Sequence, residues 1–205
     1  MEYLLSCVIG YFLGSIPTAY LTLKKSKGID ITTKGSGNVG AMNSYEVTNS
    51  KKLGIIVFLV DFLKGLASVS FILFFVDFSF LPASLSLLFA VFSHCFNPWI
   101  NFKGGRGLAT AAGGLSILYP VLLLAWLVLW VIVYLLKKDI LIANISATIL
   151  SLCSVFATYQ VTIKYAFPEP TIMNELLLFS SALLIIIFIK HIEPLKEIIS
   201  KTKTE

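Results

Sequence analysis

The chain has 205 residues, of which 57% are hydrophobic and only 13% charged, with a mean hydropathy of +0.89 and a formal net charge of +5. These values exclude a water-soluble globular domain and leave no room for one beside the apolar stretches. The surplus of cations needs no nucleic acid to explain it, because orientation in a bilayer and attraction to anionic lipid account for it.

A helix needs ~20 apolar residues to cross the hydrocarbon core. Seven segments are predicted on that basis, at about 3–23, 53–76, 80–96, 107–119, 121–136, 140–163 and 174–190. The expectation is an all-α integral membrane protein, a single polytopic domain over residues 1–205. Residues 3–23 lack the basic flank and cleavage site of a signal peptide and read as a retained span. The fourth segment is short and rich in Gly and Ala, and Pro120 parts it from the fifth. Merging the two would leave six spans.

Charge arbitrates between seven and six. With the N-terminus outside, the inner loops hold Lys24, Lys25, Lys27, Lys34, Lys51, Lys52, Lys103, Arg106, Lys137 and Lys138. Lys190, Lys196, Lys201 and Lys203 follow the last span, so fourteen of the sixteen basic residues share one side. A merged span would divide them. The prediction is therefore seven spans, N-terminus outside and C-terminus cytoplasmic, with the polar and glycine-rich sequence at the inner leaflet. The outer loops, 77–80, near 120 and 164–173, carry little chemistry, and no internal repeat suggests a transporter.

In chain order, the first polar stretch is "KGSGNVGAMN", residues 34–43. Gly35, Gly37 and Gly40 permit a loop whose amides converge, while Ser36, Asn38 and Asn43 add side-chain donors beside Lys34, an arrangement suited to phosphate. The alternative is a plain flexible loop. Within the second segment, Asp61 and Lys64 of "DFLKG" share a helix face and can pair, either to lock helices or to meet a substrate.

The third stretch is "NPWINFKGGRGLATAAGG", residues 97–114. Gly104, Gly105 and Gly107 free the backbone, Lys103 and Arg106 supply charge, and a helix begins just beyond. A helix amino end with a guanidinium beside it favours an anion. Snorkelling anchors would account for the cations alone, though not for cations among glycines. Asn144 and Ser146, near the inner end of the sixth segment, read as packing contacts between helices or as ligand contacts. In "KHIEPLKE", residues 190–197, His191 sits at the membrane boundary as a proton shuttle or simply an interfacial residue, and Pro194 is predicted to end the helix. Cys7, Cys95 and Cys153 form no CxxC and, with His94 and His191 far apart in sequence, no metal site is suggested.

Together these stretches resemble the acyl-phosphate-dependent glycerol-3-phosphate acyltransferases of bacteria, the PlsY type. "GSGNVGAMN" is similar to that family's first motif, with Met42 in place of a threonine. "DFLKG" is similar to a block in the next span, and "SHCFNPWINFKGGRGLAT" to the second motif, with Asn97 before Pro98 and Arg106 for a lysine. The resemblance implies seven spans and transfer of a fatty acyl group from acyl phosphate to the 1-hydroxyl of glycerol 3-phosphate, giving lysophosphatidic acid in phospholipid synthesis. It implies no cofactor and no metal. Ser36 and adjacent amides would hold phosphate, Arg106 would take the lysine's part, and His191 would contact the acceptor. The substrate contacts implied or suggested by the residues are Gly35, Gly37, Asn38, Gly40, Asn43, Lys103, Gly104, Gly105, Gly107, Asn144 and Glu193.

Two departures stand out. The family's first motif is followed by a phosphate-binding arginine where this chain has Glu46, and its third motif has an asparagine where this chain has Pro194. Three outcomes follow. Lys51, Lys52, Lys190 or Lys196 repairs the pocket; or the acceptor differs, being less anionic or carrying an amine for Glu46; or the chain is a silent membrane binding protein.

Overall fold

The computed structural model describes the backbone of residues 1–202 and the side chains of residues 1–196; Lys203 lies outside the described residues, and the Lys201 side chain is likewise not described. All regular structure among the described residues is helical: α1 (Glu2–Gly14), α2 (Thr18–Lys27), α3 (Ala41–Thr48), α4 (Lys51–Phe75), α5 (Phe80–Cys95), α6 (Leu108–Leu118), α7 (Pro120–Lys137), α8 (Ile140–Thr162) and α9 (Met173–Thr202), with short 3₁₀ turns at Ile31–Thr33, Pro98–Ile100 and Ile163–Tyr165.

Six of these stretches are long and apolar enough to cross a membrane: Glu2–Lys27, Lys51–Phe75, Phe80–Ile100, Pro120–Lys137, Ile140–Tyr165 and Met173–Lys196. The segment expected at 107–119 forms only the 11-residue α6. At 1.5 Å per residue that helix measures about 16 Å, roughly half the hydrocarbon thickness. Pro120 starts α7 as a separate helix. The first span is broken as well, because Pro17 separates α1 from α2.

Pro194, predicted to end the last helix, sits inside α9. A proline in a helix leaves the carbonyl four residues earlier without its amide. Here that carbonyl belongs to Lys190, and both Lys190 and Pro194 line a polar cavity where an unpaired carbonyl can be solvated.

Glycines set how closely the helices pack. A Cβ on Gly10 or Gly14 of α1 would collide with the carbonyls of Ser86 and Ala90 on α5, so the two helices run parallel with their backbones touching. Gly65 of α4 lies against the Thr110 carbonyl of α6, and Gly113 of α6 against that of Phe62. Lipid tails are as apolar as leucine, so close backbone approach, rather than apolar burial, holds such helices together. Between them lies a core that includes Val69, Ile72, Leu87, Leu118 and Leu183, with Phe80 and Phe179 edge to face at 5.6 Å. Large apolar side chains such as Phe74, Leu124, Leu136 and Leu178 face outward, as befits a chain solvated by lipid.

These contacts bring the glycine-rich sequence to one end of the bundle. α1, α5 and α9 all run toward that end, and α8 runs away from it: Lys190 of α9 lies over Phe96 just past α5, and His191 approaches Asn144 of α8. At the other end the Phe167 amide donates to the carbonyl of Leu118, the last residue of α6.

Candidate functional site

Residues 34–43 fold through their own hydrogen bonds. Gly35 (φ 57°) and Gly37 (φ 68°) occupy the left-handed region, which closes the loop tightly enough for Asn43, in the first turn of α3, to reach back across it. Asn43 Oδ1 accepts from the Ser36 amide at 3.1 Å, and its Nδ2 donates to the carbonyls of Lys34 and Asn38 at 3.1 and 2.9 Å. A Cβ on Gly35 would displace that side chain. Upstream, Asp30 caps the Ile31–Thr33 turn by accepting from the Thr32 hydroxyl and amide, and these two bonds, the hydroxyl first, hold its carboxyl below the usual value.

The two glycine loops meet directly. The Val39 amide donates to the Gly104 carbonyl at 3.2 Å, and the Gly105 amide donates to the His94 carbonyl at 3.2 Å. Gly104 lies so close to the carbonyls of His94 and Cys95 that a Cβ has no space. Asn97 ties the second loop to the break in the first span: its Oδ1 accepts from the Trp99 amide and its Nδ2 donates to the Ser15 carbonyl at 2.6 Å, while the Trp99 indole donates to the Ser15 hydroxyl at 3.0 Å.

A nest of free amides around an anion was one expectation, and part of it is taken up by the loops' own bonds. The amides of Ser36, Gly37, Val39, Lys103 and Gly105 all donate within the protein. Positive charge at the site comes from the side chains of Lys103, Arg106 and Lys190. The amino end of α6 adds to it, for its N-cap Gly107 (φ 83°) offers no side chain to cover the first-turn amides.

Two cavities open at this junction. One, of about 290 Å³, is polar and is lined by Thr32, Ser36, Asn38, Lys103, Arg106 and Lys190, with Gly37, Gly104, Glu193 and Pro194 completing its wall. Its three cations face one carboxylate. The other, of about 410 Å³, is walled mainly by apolar groups of α4, α6, α7 and α9, among them Phe62, Leu115, Leu122, Trp126 and Leu184. Asn38 and Arg106 belong to both walls. A polar, cationic cavity thus adjoins an apolar one, with Asn38 and Arg106 in the wall common to both.

The sequence-predicted residues divide accordingly. Ser36, Gly37, Asn38, Lys103, Gly104, Arg106 and Glu193 face the polar cavity, whereas Gly40, Gly107 and Asn144 face the apolar one. Gly35, Asn43, Gly105 and His191 line neither. Gly35 and Asn43 shape the first loop, and Gly105 ties the second to His94 of α5. His191 is 1% exposed. Its Nδ1–H donates to the Ile187 carbonyl at 2.8 Å, which leaves Nε2 as an acceptor 3.5 Å from Asn144 Nδ2. Asn144 Oδ1 in turn accepts from the Trp130 indole at 2.7 Å.

The two departures noted in the sequence have different consequences. Glu46 is exposed on α3 and lines neither cavity, so its charge does not confront a bound anion. Pro194 does lie in the polar wall. Of the lysines considered as replacements, Lys51, Lys52 and Lys196 are exposed and face neither cavity, while Lys190 lines the polar one. One site group, His94, escaped the sequence reading as a functional residue. It lines the apolar cavity together with Asp61, which the sequence marked as the partner of Lys64. A charged pair inside an apolar span demands partners, and that was the available signal.

The Asn43 bonds give a first test. Asn43→Ala leaves the part-buried Asn38 carbonyl and the Ser36 amide without that partner and removes one of the two bonds to the Lys34 carbonyl, a loss of about 1–3 kcal/mol. The expected result is a loosened loop, read as faster amide exchange at residues 35–40 and reduced turnover, with the helices intact by circular dichroism.

Residues 4–201 match the family described as glycerol-3-phosphate acyltransferase. The chain is 32% identical over 191 residues to the glycerol-3-phosphate acyltransferase of Wolbachia pipientis, covering 93% of this chain and 92% of that one. It is 35% identical over 170 residues to the Fusobacterium nucleatum protein of the same name, covering 81% and 84%. Among solved structures it is similar to PlsY (YgiH), an integral membrane glycerol 3-phosphate acyltransferase, in its glycerol 3-phosphate form, with a TM-score of 0.79 and 29% identity over 98% of this chain and 94% of that one. The lysophosphatidic acid form of that protein gives a TM-score of 0.77. With its span pattern, paired glycine loops and junction of cationic and apolar cavities, the chain belongs to the glycerol-3-phosphate acyltransferase family.

Proposed function

We propose that this protein transfers a fatty acyl group from acyl phosphate to the 1-hydroxyl of glycerol 3-phosphate, releasing lysophosphatidic acid and inorganic phosphate. The observation that carries this reading is the shared wall of the two cavities at Asn38 and Arg106. An acyl donor with a phosphoryl head needs a cation where its tail ends, and a phosphorylated acceptor needs further cations beside it. Arg106 serves the first, and Lys103 and Lys190 serve the second, with the Ser36 hydroxyl as a further donor. The donor is an activated mixed anhydride, so holding two anions together and aligning the hydroxyl suffices without a covalent enzyme intermediate. His191 acts at one remove by holding the Asn144 amide in the cavity wall. A different, amine-bearing acceptor was attractive only if Glu46 faced the pocket, and Glu46 does not line it.

The same reading places the cavity end in the cytoplasm, the N-terminus outside, and the protein as a multi-pass component of the plasma membrane. The lysines of α2, of the loop after it and of the α9 end support that orientation. A seventh crossing at 107–119 is supported by the chain's path, which is tied to His94 near the end of α5 at Gly105 and to Phe167, ahead of α9, at Leu118. The loop dips inward before α6 begins, so a short helix completes the passage.

Purified protein in lipid, supplied with palmitoyl phosphate and glycerol 3-phosphate, is expected to form lysophosphatidic acid and phosphate in equal amounts. Consumption of neither substrate overturns the proposal. A second measurement addresses the tail. Ala112 lines the apolar cavity, and Ala112→Phe fills part of it. Turnover with long acyl donors should then fall by about tenfold or more, since ~1–3 kcal/mol accompanies overpacking, while short-chain donors are spared. Equal loss across chain lengths would place the tail elsewhere.

A further inference from the structure

In the wall of the apolar cavity lies a buried polar cluster with no part in the acyl transfer described above. Lys64 of α4 places Nζ 2.9 Å from Asp61 Oδ1, 3.1 Å from the Ile16 carbonyl and 2.7 Å from His94 Nδ1. The Ile16 carbonyl lies in the break that Pro17 makes between α1 and α2. An ammonium has three protons to donate and no lone pair to accept with. It can only donate to His94, so Nδ1 is the acceptor in that contact, and the ring's own proton resides on Nε2.

That Nε2–H edge has no hydrogen-bond partner among the described residues. It lies against Gly105, where a Cβ would collide with it, so only a glycine leaves this edge of the ring uncovered. His94 is 7% exposed and lines the apolar cavity with Arg106, Asn38 and Gly107. A donor fixed at this point meets neither the distal tail nor the acceptor phosphate. It meets the atoms between tail and phosphoryl head, which in an acyl donor are those of the carbonyl.

We infer that His94, oriented by Lys64 and Asp61, is a catalytic residue whose Nε2–H holds the carbonyl oxygen of the acyl donor. This deepens the reading above and rests on it. When the acceptor hydroxyl oxygen bonds to the carbonyl carbon, the carbonyl π pair moves onto that oxygen, and the oxyanion is met by a donor already in place. Collapse re-forms the C=O bond, breaks the bond from carbon to the phosphoryl oxygen, and expels inorganic phosphate, which carries away the hydroxyl proton. The Lys64 charge behind the ring polarises Nε2–H and strengthens it as a donor. It also keeps Nδ1 occupied, so the ring donates rather than serving as a base.

The test combines spectroscopy with two variants. In protein labelled with ¹⁵N-histidine, the His94 resonances, identified by their loss in His94→Asn, are expected to show an unprotonated Nδ1 and a protonated Nε2. Palmitoyl phosphate without acceptor should shift the Nε2–H signal. His94→Asn keeps an acceptor for Lys64 and lacks the outer donor, so kcat is expected to fall about 100-fold with the KM for glycerol 3-phosphate within about threefold. His94→Gln sets an amide N–H near the Nε2 position and should recover most of the loss. A proton on Nδ1, no shift with palmitoyl phosphate, kcat preserved in His94→Asn, or His94→Gln falling as far as His94→Asn each overturns the assignment. Wild-type protein that shows the tautomer and the shift yet forms no lysophosphatidic acid supports His94 as the carbonyl donor and defeats the acceptor reading alone.

Discussion

Replacing Arg106 by alanine is expected to lower kcat/KM for acyl transfer by about a thousandfold, while the protein stays folded in the membrane. Arg106 is half-buried where the two cavities meet and belongs to both walls. A charge that stabilises developing negative charge in a site shielded from water is worth ~10²–10³ in rate, and this one also orients the donor's phosphoryl group. Arg106→Lys separates charge from shape: a point charge at the threshold should keep activity within about tenfold of wild type, losing only the fork geometry. Turnover of the alanine variant at the wild-type rate would remove the guanidinium from the mechanism.

The second large effect concerns a residue with no side chain. In Gly104→Ala the new methyl meets the backbone carbonyls of His94 and Cys95, which cannot rotate away as a side chain would. Overpacking of this kind costs about 1–3 kcal/mol, and here relief comes only by moving the loop. The Gly104 carbonyl accepts from Val39, so the first loop moves with the second, and Arg106 lies two residues further on. A displacement near 1 Å can reduce turnover ~10²-fold. The expected outcome is a folded protein with a slightly lowered melting temperature, turnover reduced on that scale, and faster amide exchange at both Val39 and Gly105. Normal turnover would mean that the contact between the loops is not needed for alignment. Gly37→Ala is the useful contrast, because its strain is conformational and its nearest neighbour, the Thr32 carbonyl, lies 3.3 Å from the added atom.

The sequence carried the membrane class and the helix positions because apolar runs of span length have one favourable use, and their ends were marked by lysines, glycines and Pro120. It also marked both glycine loops, since glycines clustered beside cations between apolar segments suit close backbone approach around an anion and little else. Helix breaks inside apolar runs were harder to see. Pro17 broke a segment read as continuous, yet Pro194 failed to end one, and what differs is whether a neighbouring group or solvent takes up the backbone bonds that proline leaves open. The polar helix α3 was missed because it is short and lacks an apolar face long enough to register as periodic.

Composition, charge and local motif thus determined by themselves that this chain lives in a bilayer, that its chemistry gathers at one end, and which family it belongs to. Tertiary structure alone decided which of the marked residues face the cavities. Asn43 and His191 turned inward to hold other groups, Glu46 turned out to solvent, and Lys190 and His94 came to the walls. The physical reason is that a side chain's direction depends on partners distant in sequence: the Ile16 carbonyl for Lys64, the Ser15 carbonyl for Asn97, the Asn144 amide for His191. No spacing rule within one segment contains those distances.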